Sequence, residues 1–70
     1  MEIKMSNNKR FLRLKEVIER TGRSRSSIYL DMDLGRFPMS VKLGARSIGW
    51  LESDIDAWIQ ERIQQSRTAE

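Results

Sequence analysis

Apolar residues near the start of the chain recur at the spacing of a short helix. Leu14, Val17 and Ile18 fall at positions i, i+3 and i+4, which places them on one helical face. We therefore predict a helix from about Leu14 to Thr21, with Gly22 as the left-handed residue that ends it.

A second short helix is predicted directly after this turn. Ser24 can cap the free backbone donors at its start. Ile28 and Met32 lie four residues apart, and we expect both to face inward together with Tyr29 beside them. The helix is expected to end near residues 33–34, with Gly35 as a natural stop. Two helices joined by a tight turn outline a helix-turn-helix, the fold that inserts its second helix into the major groove of DNA.

The pattern changes to period two after Phe37-Pro38, because proline disfavours the helical conformation in the residue before it. Two alternating runs flank the loop at residues 44–47 and predict a β-hairpin of about ten residues. Residues 11–14 are a short apolar entry that either pairs as a strand or packs into the core. In the hairpin we expect a core-facing set, Val41, Leu43, Ile48 and Trp50, and a solvent-facing pair at or near the tip, Lys42 and Arg46.

A third helix completes the pattern. Ser53 followed by Asp56 resembles a capping box, and the apolar positions spaced by three and four residues are Ile55, Trp58, Ile59 and Ile63. The order helix, turn, helix, hairpin, helix predicts a mainly α fold with a small β-hairpin. We expect one domain over residues 11–65, between a flexible N-terminal tail (residues 1–10) and a C-terminal tail (residues 66–70).

Composition argues against an enzyme. The sequence contains neither cysteine nor histidine, so it has no thiol nucleophile and no imidazole to activate a serine or bind a metal. Asp54 and Asp56 fall in the first turn of the last helix, where the helix dipole favours negative charge without any acid–base chemistry. We expect no cofactor, no metal site and no small-molecule substrate.

The net charge of +3 is distributed unevenly along the chain. Residues 1–30 carry eight basic and three acidic residues, whereas residues 52–70 carry two basic and five acidic residues. Such segregation suits a face that binds a polyanion, although an ordinary solvated surface would also explain it.

The start of the second helix is the strongest candidate for such a face. Arginine can bond bidentately to guanine, and serine can reach phosphates or base edges, so the candidate residues are Arg23, Ser24, Arg25, Ser26 and Ser27. Backbone donors at a helix start also favour a phosphate. The alternative is that both arginines are merely solvated charges beside a capping serine.

Basic residues around the hairpin could extend this face. Lys42 and Arg46 would form a wing that contacts DNA phosphates or lies in the minor groove. Arg36, just past the second helix, could also reach the DNA backbone. The alternative is that they only keep a surface loop soluble. The aromatic residues could in principle stack on bases. At their spacing Trp50, Trp58 and Tyr29 are expected in the core instead.

Residues 11–63 contain several distinctive short motifs: Leu12-Arg13-Leu14-Lys15-Glu16-Val17, Thr21-Gly22, Ser24-Arg25-Ser26-Ser27-Ile28-Tyr29, Gly35-Arg36-Phe37-Pro38, Val41-Lys42-Leu43-Gly44, Trp50 and the helix start from Glu52 to Trp58. Taken together, these motifs resemble those of a known family, the AlpA-type prophage regulators. The resemblance implies a winged helix-turn-helix related to excisionases and MerR-type regulators. It also implies a recognition-helix start at Arg23 to Ser27 with Tyr29, and a wing formed by Lys42, Gly44 and Arg46.

The chain departs from the family pattern at several positions. Leu30 and Asp31 stand where a basic residue commonly follows the Ile-Tyr pair, and Met39 stands where a lysine often follows Phe-Pro. Asp31 and Asp33 would repel phosphate unless they point away or accept a hydrogen bond from cytosine.

These observations predict a sequence-specific regulator that binds double-stranded DNA, as pairs or arrays on repeated sites. An excisionase-like protein that bends DNA is an alternative, and a module that pairs through its C-terminal helix is an alternative of another class. The chain lacks an apolar run of about 20 residues and the apolar centre of a signal peptide. We therefore expect a bacterial cytoplasmic protein, associated with the nucleoid and not with membranes.

Overall fold

The computed structural model describes residues 10–68. Three helices surround a small antiparallel sheet, in the order β1 (Phe11–Leu12), α1 (Leu14–Thr21), α2 (Arg25–Asp33), β2 (Val41–Lys42), β3 (Ile48–Leu51) and α3 (Glu52–Thr68). The mainly helical fold with a hairpin wing is therefore confirmed. Apart from Arg10, the expected N-terminal tail lies outside the described residues. Across residues 10–68, no helix has the length and apolar character needed to cross a bilayer.

Local contacts explain why α1 ends where the sequence predicts. Gly22 adopts φ 74°, and its N–H donates to the carbonyl of Ile18 at 2.9 Å. The hydroxyl of Thr21 donates to the carbonyl of Val17 at 2.8 Å and accepts from the N–H of Arg23 at 3.2 Å. These bonds satisfy backbone groups at the end of α1 and fix the direction in which the chain enters α2.

The start and end of α2 also follow the sequence prediction. The Ser24 hydroxyl accepts from the N–H of Ser27 at 3.2 Å, as an N-cap does. Ile28 is completely buried, and Gly35 reverses the chain at φ 73°. A short capped helix with a single buried anchor leaves most of its circumference exposed.

The sheet has the order β1–β3–β2, so the first two residues of the apolar entry, Phe11–Leu12, do pair as a strand, whereas Leu14 already belongs to α1. Val41 pairs with Gly49 and Lys42 pairs with Ile48. Directly paired residues of antiparallel strands share a face, so Val41 lies on the face opposite to Ile48 and Trp50. The expectation that Val41 and Leu43 face the core is therefore wrong, and each is 38% exposed.

The core lies between the inner face of the sheet and the three helices. It consists of Leu12, Val17, Ile28, Phe37, Trp50 and Ile55. The two tryptophans also fix the segment that joins α2 to β2: Trp50 Nε1 donates to the carbonyl of Pro38 at 3.0 Å, and Trp58 Nε1 donates to that of Arg36 at 3.0 Å. Trp50 lies in the core and Trp58 packs against it, as expected. The expectation that Tyr29 also faces inward is wrong, because its side chain is 37% exposed beside Arg25.

Helix α3 begins one residue before the predicted cap, at Glu52, so Ser53 lies in its first turn. The N–H of Glu52 donates to the carbonyl of Arg10 at 2.7 Å, which joins the helix start to the chain just before β1. At its other end α3 continues to Thr68, past the boundary expected at residue 65.

Candidate nucleic-acid interface

The first turn of α2 presents small polar side chains. Ser24 and Ser26 are exposed, and Ser27 is half-buried. The hydroxyls of Ser24 and Ser27 lie 3.0 Å apart and are hydrogen-bonded to each other. Ser24 and Ser27 are therefore engaged in capping the helix, whereas the hydroxyl of Ser26 faces solvent.

Arg23 is not the exposed charge that the sequence suggested. Its guanidinium is paired with the carboxylate of Asp31, which is only 14% exposed. Within residues 10–68, the Arg23 Nε atom is buried without a hydrogen-bond partner. The side chain therefore braces the turn against the body of α2, and the same contact turns the Asp31 charge away from solvent.

Arg25 stands exposed at the first position of α2. Its guanidinium carbon lies 5.7 Å from the centre of the Tyr29 ring, at the distance of a cation–π contact. Tyr29 is itself 37% exposed. The ring supports the arginine from one side without neutralising it, so all its hydrogen-bond donors stay available.

The hairpin places its basic residues in solvent. Lys42 lies on β2, and Gly44 and Arg46 lie in the loop between β2 and β3; all three are exposed. The N–H groups of Leu43 and Gly44 both donate to the carbonyl of Ser47, at 2.8 and 3.3 Å, which closes the loop. The hairpin is thus a short, closed projection with a cation on each side of Gly44.

Arg36 follows α2 and also has an exposed side chain. Its backbone is fixed on both sides, because its N–H donates to the carbonyl of Asp31 at 2.7 Å and its carbonyl accepts from Trp58. Phe37 packs edge-on against Trp58, with ring centres 5.0 Å apart. A rigid backbone therefore holds this arginine just beyond the end of α2.

Carboxylates neutralise a different set of arginines. Arg20 bonds to Glu52 at 2.6 Å and to Asp56 at 3.1 Å, and Arg10 lies 3.3 Å from Glu16 and 3.5 Å from Glu52. In the part of the chain that the structure describes, no carboxylate lies within ion-pair distance of four other predicted site residues, Arg25, Arg36, Lys42 and Arg46. Apart from Arg23, every basic residue predicted for the site is thus without a carboxylate partner among residues 10–68.

Residues 10–63 match the family described as prophage CP4-57 regulatory protein (AlpA). This match covers the first five secondary-structure elements completely and α3 as far as residue 63. The chain belongs to the AlpA family. Members of this family are thus the proteins with which this turn, second helix and hairpin are to be compared.

Two relatives place the chain more closely within the AlpA family. It is 46% identical over 54 residues to the uncharacterized protein ORF88 of Enterobacteria phage P4, a match covering 77% of this chain and 61% of the phage protein. It is 42% identical over 61 residues to the DNA-binding transcriptional activator AlpA of Escherichia coli K12, a match covering 79% of this chain and 87% of that protein. The chain therefore spans about three fifths of the length of the phage relative.

Two features of this AlpA-family site were missed from the sequence. The first is the pairing of Arg23 with Asp31, which the inward position of Asp31 beside Ile28 could have suggested. The second is the exposure of Leu30, whose side chain is 57% exposed on α2; the sequence identified this residue only as a departure from the family pattern. Among residues 10–68, no three acidic side chains are grouped so that they could hold a metal ion.

Proposed function

We propose that this protein is a sequence-specific DNA-binding transcriptional regulator of a prophage or integrative element. In this function the start of α2 enters the major groove, and the hairpin of β2 and β3 lies on the flanking backbone. Support comes from the AlpA family and from the E. coli relative, whose name describes a DNA-binding transcriptional activator. The protein would act in the bacterial cytoplasm at the nucleoid, without a cofactor or catalytic group.

The observation that carries this proposal is the division between paired and unpaired cations. Arg10 and Arg20 are neutralised by α1 and α3 carboxylates, so they have little charge to offer a polyanion. Among residues 10–68, no carboxylate lies within ion-pair distance of Arg25 at the start of α2 or of Lys42 on the hairpin, and both side chains are exposed. Unpaired cations of this kind release counterions when they meet phosphates, which is the main source of affinity for DNA.

Arg25 and Ser26 are the residues best placed to reach base edges. Both are exposed in the first turn of α2, and recognition helices make their base contacts mainly from the N-terminal end. Arg25 can bond bidentately to guanine, while the short side chain of Ser26 allows close approach of the helix. We propose that the Ser24 cap and the Arg23–Asp31 ion pair position these two residues.

Arg36 is proposed to contact the DNA backbone at the far end of α2. The helix has nine residues, which at 1.5 Å per residue gives a length of roughly 13 Å. That length is comparable to the major-groove width of about 12 Å. Arg36, just beyond the end of α2, therefore suits a contact with the DNA backbone at the far side of the groove, and the exposed wing residues Lys42, Gly44 and Arg46 add further backbone contacts.

Selection from a random duplex pool tests the function directly. We expect a defined sequence to be enriched and to bind about 10³-fold more tightly than a scrambled duplex. Arg25→Ala should weaken binding to the enriched duplex by roughly ten- to a hundredfold and relax its specificity. Arg67→Ala, an exposed arginine near the end of α3, is the matched control and should bind like the wild type. A wild type with equal affinity for all duplexes would refute the proposal.

Self-association through α3 is a second candidate function. Residues 60–67 are all exposed, and Ile63, four residues after the partly buried Ile59, is 39% exposed. Sedimentation equilibrium of the wild type and Ile63→Glu tests this candidate, because Ile63 can be changed without disturbing the core. A concentration-dependent dimer that Ile63→Glu abolishes is the expected result, and a monomer at every concentration would exclude pairing in the absence of DNA.

A further inference from the structure

The outward side of α2 can be located from its buried anchor. Each residue advances about 100° around a helix, so Ser26 and Leu30 both lie roughly 160° from Ile28, on either side of the direction that points directly outward. Ile28 is completely buried, and both Ser26 and Leu30 are exposed. Leu30 therefore stands one turn beyond Ser26 in the centre of the face that α2 presents to solvent.

Leu30 is unusual for this position because it is large, apolar and 57% exposed. Its sequence neighbour Asp31 does not share this face, since its carboxylate is held by Arg23. Asp33 is exposed one turn further along α2. The middle of the outward face is consequently apolar, between hydroxyl and guanidinium groups at the start of the helix and a carboxylate at its end.

We propose that Leu30 is a specificity-determining residue that contacts the 5-methyl group of thymine in the major groove. This inference rests on the proposed function, because it requires that α2 enters the groove. The thymine methyl is the apolar group that the four bases display in the major groove, and apolar side chains contact it there. Leu30 has no hydrogen-bonding group, so it discriminates by burying this methyl and by leaving polar base edges without a partner.

The size of the effect follows from the apolar surface that the contact removes from water. Burying one methyl-sized group favours the complex by about fourfold in affinity. The operator is therefore expected to contain a thymine whose 5-methyl group contributes to binding. Removing either the methyl or the leucine side chain should remove the same preference.

A double-substitution cycle tests this contact. The enriched duplex is prepared with each thymine replaced in turn by deoxyuridine, which lacks only the 5-methyl group, and binding is measured by fluorescence anisotropy. We expect the wild type to lose about fourfold in affinity at one such position. Leu30→Ala should bind the thymine and deoxyuridine duplexes equally. Leu34→Ala, which truncates another exposed leucine of the same region, should discriminate like the wild type.

The outcomes separate this inference from the function on which it rests. A wild type that prefers no sequence overturns both. A sequence-specific wild type whose discrimination between thymine and deoxyuridine is absent, or is unchanged in Leu30→Ala, overturns only the contact of Leu30. If Leu30→Ala converts a dimer into a monomer in sedimentation and leaves the discrimination unchanged, a second copy of the chain covers this leucine and the inference is wrong. Circular dichroism of each variant verifies that α2 is still folded.

Discussion

Arg23 and Asp31, eight residues apart, form an ion pair that ties the turn after α1 to the body of α2. The Asp31 carboxylate is sheltered from water, at 14% exposed, whereas the Arg23 side chain is 38% exposed. Asp31 and Asp33 would both repel phosphate if they faced DNA from the predicted recognition helix. The charge of Asp31 is instead turned away from solvent and compensated by Arg23.

Asp31→Asn should lower the stability of the protein. The substitution leaves the guanidinium of Arg23 without its counter-charge. The buried Nε atom of Arg23 already lacks a hydrogen-bond partner among the described residues. Because Arg23 is partly exposed, we expect a loss of about 1 kcal/mol rather than the larger cost of a fully buried pair. Urea denaturation followed by circular dichroism measures this loss, and Asp33→Asn, at an exposed acidic position on the same helix, is the matched control.

The same pair of variants distinguishes the orientation of the two carboxylates. If Asp31 faces away from DNA, Asp31→Asn gains no affinity for duplex beyond the effect of its lower stability. Asp33→Asn removes an exposed negative charge and should bind DNA more tightly. If Asp31→Asn binds DNA more tightly than the wild type and is equally stable, the Arg23–Asp31 ion pair neither stabilises the turn nor keeps the Asp31 charge away from DNA.

Lys42 and Arg46 should act through phosphates rather than bases. Replacing either residue by alanine should weaken binding to all duplexes alike and reduce the slope of log K against log salt by about 1. Titrations at several salt concentrations measure this slope. Arg67→Ala also removes an exposed cation, but from the end of α3, and should leave the slope unchanged. Equal slopes for the wild type and the Lys42→Ala, Arg46→Ala double variant would show that the hairpin does not touch the backbone.

Gly49 is predicted to be intolerant of any side chain. A Cβ atom there would lie 2.8 Å from Leu43 Cδ1 and 3.0 Å from the backbone oxygen of Leu12, on the neighbouring strand. Gly49→Ala should therefore destabilise the sheet by about 1–3 kcal/mol. Gly44→Ala, whose Cβ would lie 3.9 Å from Ser47 Oγ, should change stability by less than about 0.5 kcal/mol. Thermal denaturation of the two variants checks this contrast, and equal melting temperatures would refute it.

Trp58→Phe isolates the hydrogen bond that fixes the segment after α2. The phenyl ring can still contact Phe37, but the carbonyl of Arg36 loses its indole donor at 3.0 Å. We expect a loss of about 1 kcal/mol in stability and weaker binding of DNA as the Arg36 backbone loosens. If stability falls but affinity for the enriched duplex does not, Arg36 lies outside the interface.

The helices of this protein could be predicted because the features that specify them are local. A 3.6-residue apolar period, the Ser24 cap and the positive-φ residue Gly22 all lie within one turn of the structure they determine. Which side chains of the hairpin strands face the core could not be predicted in this way. It depends on register, and pairing Val41 with Gly49 rather than with an even-numbered neighbour reverses the face of every residue in β2.

The candidate site was predicted in position but not in its internal contacts. The sequence placed Arg23 and Arg25 side by side at the start of α2, and nothing local distinguishes the two guanidinium groups. The structure distinguishes them. Arg23 forms an ion pair with Asp31, which lies eight residues later on α2, whereas Arg25 packs against the ring of Tyr29. Which charge is compensated depends on packing between side chains distant in sequence.

Mapping the duplex onto the protein by nuclear magnetic resonance tests the central claim most directly. Amide ¹H–¹⁵N spectra are recorded while the enriched duplex is added to the wild-type protein. We predict that the largest shift changes fall on residues 24–30 and on the hairpin at residues 42–46, and that the paired cluster of Arg10, Arg20, Glu52 and Asp56 changes little. The largest changes in α3 or in that paired cluster, with α2 and the hairpin unaffected, would contradict the account.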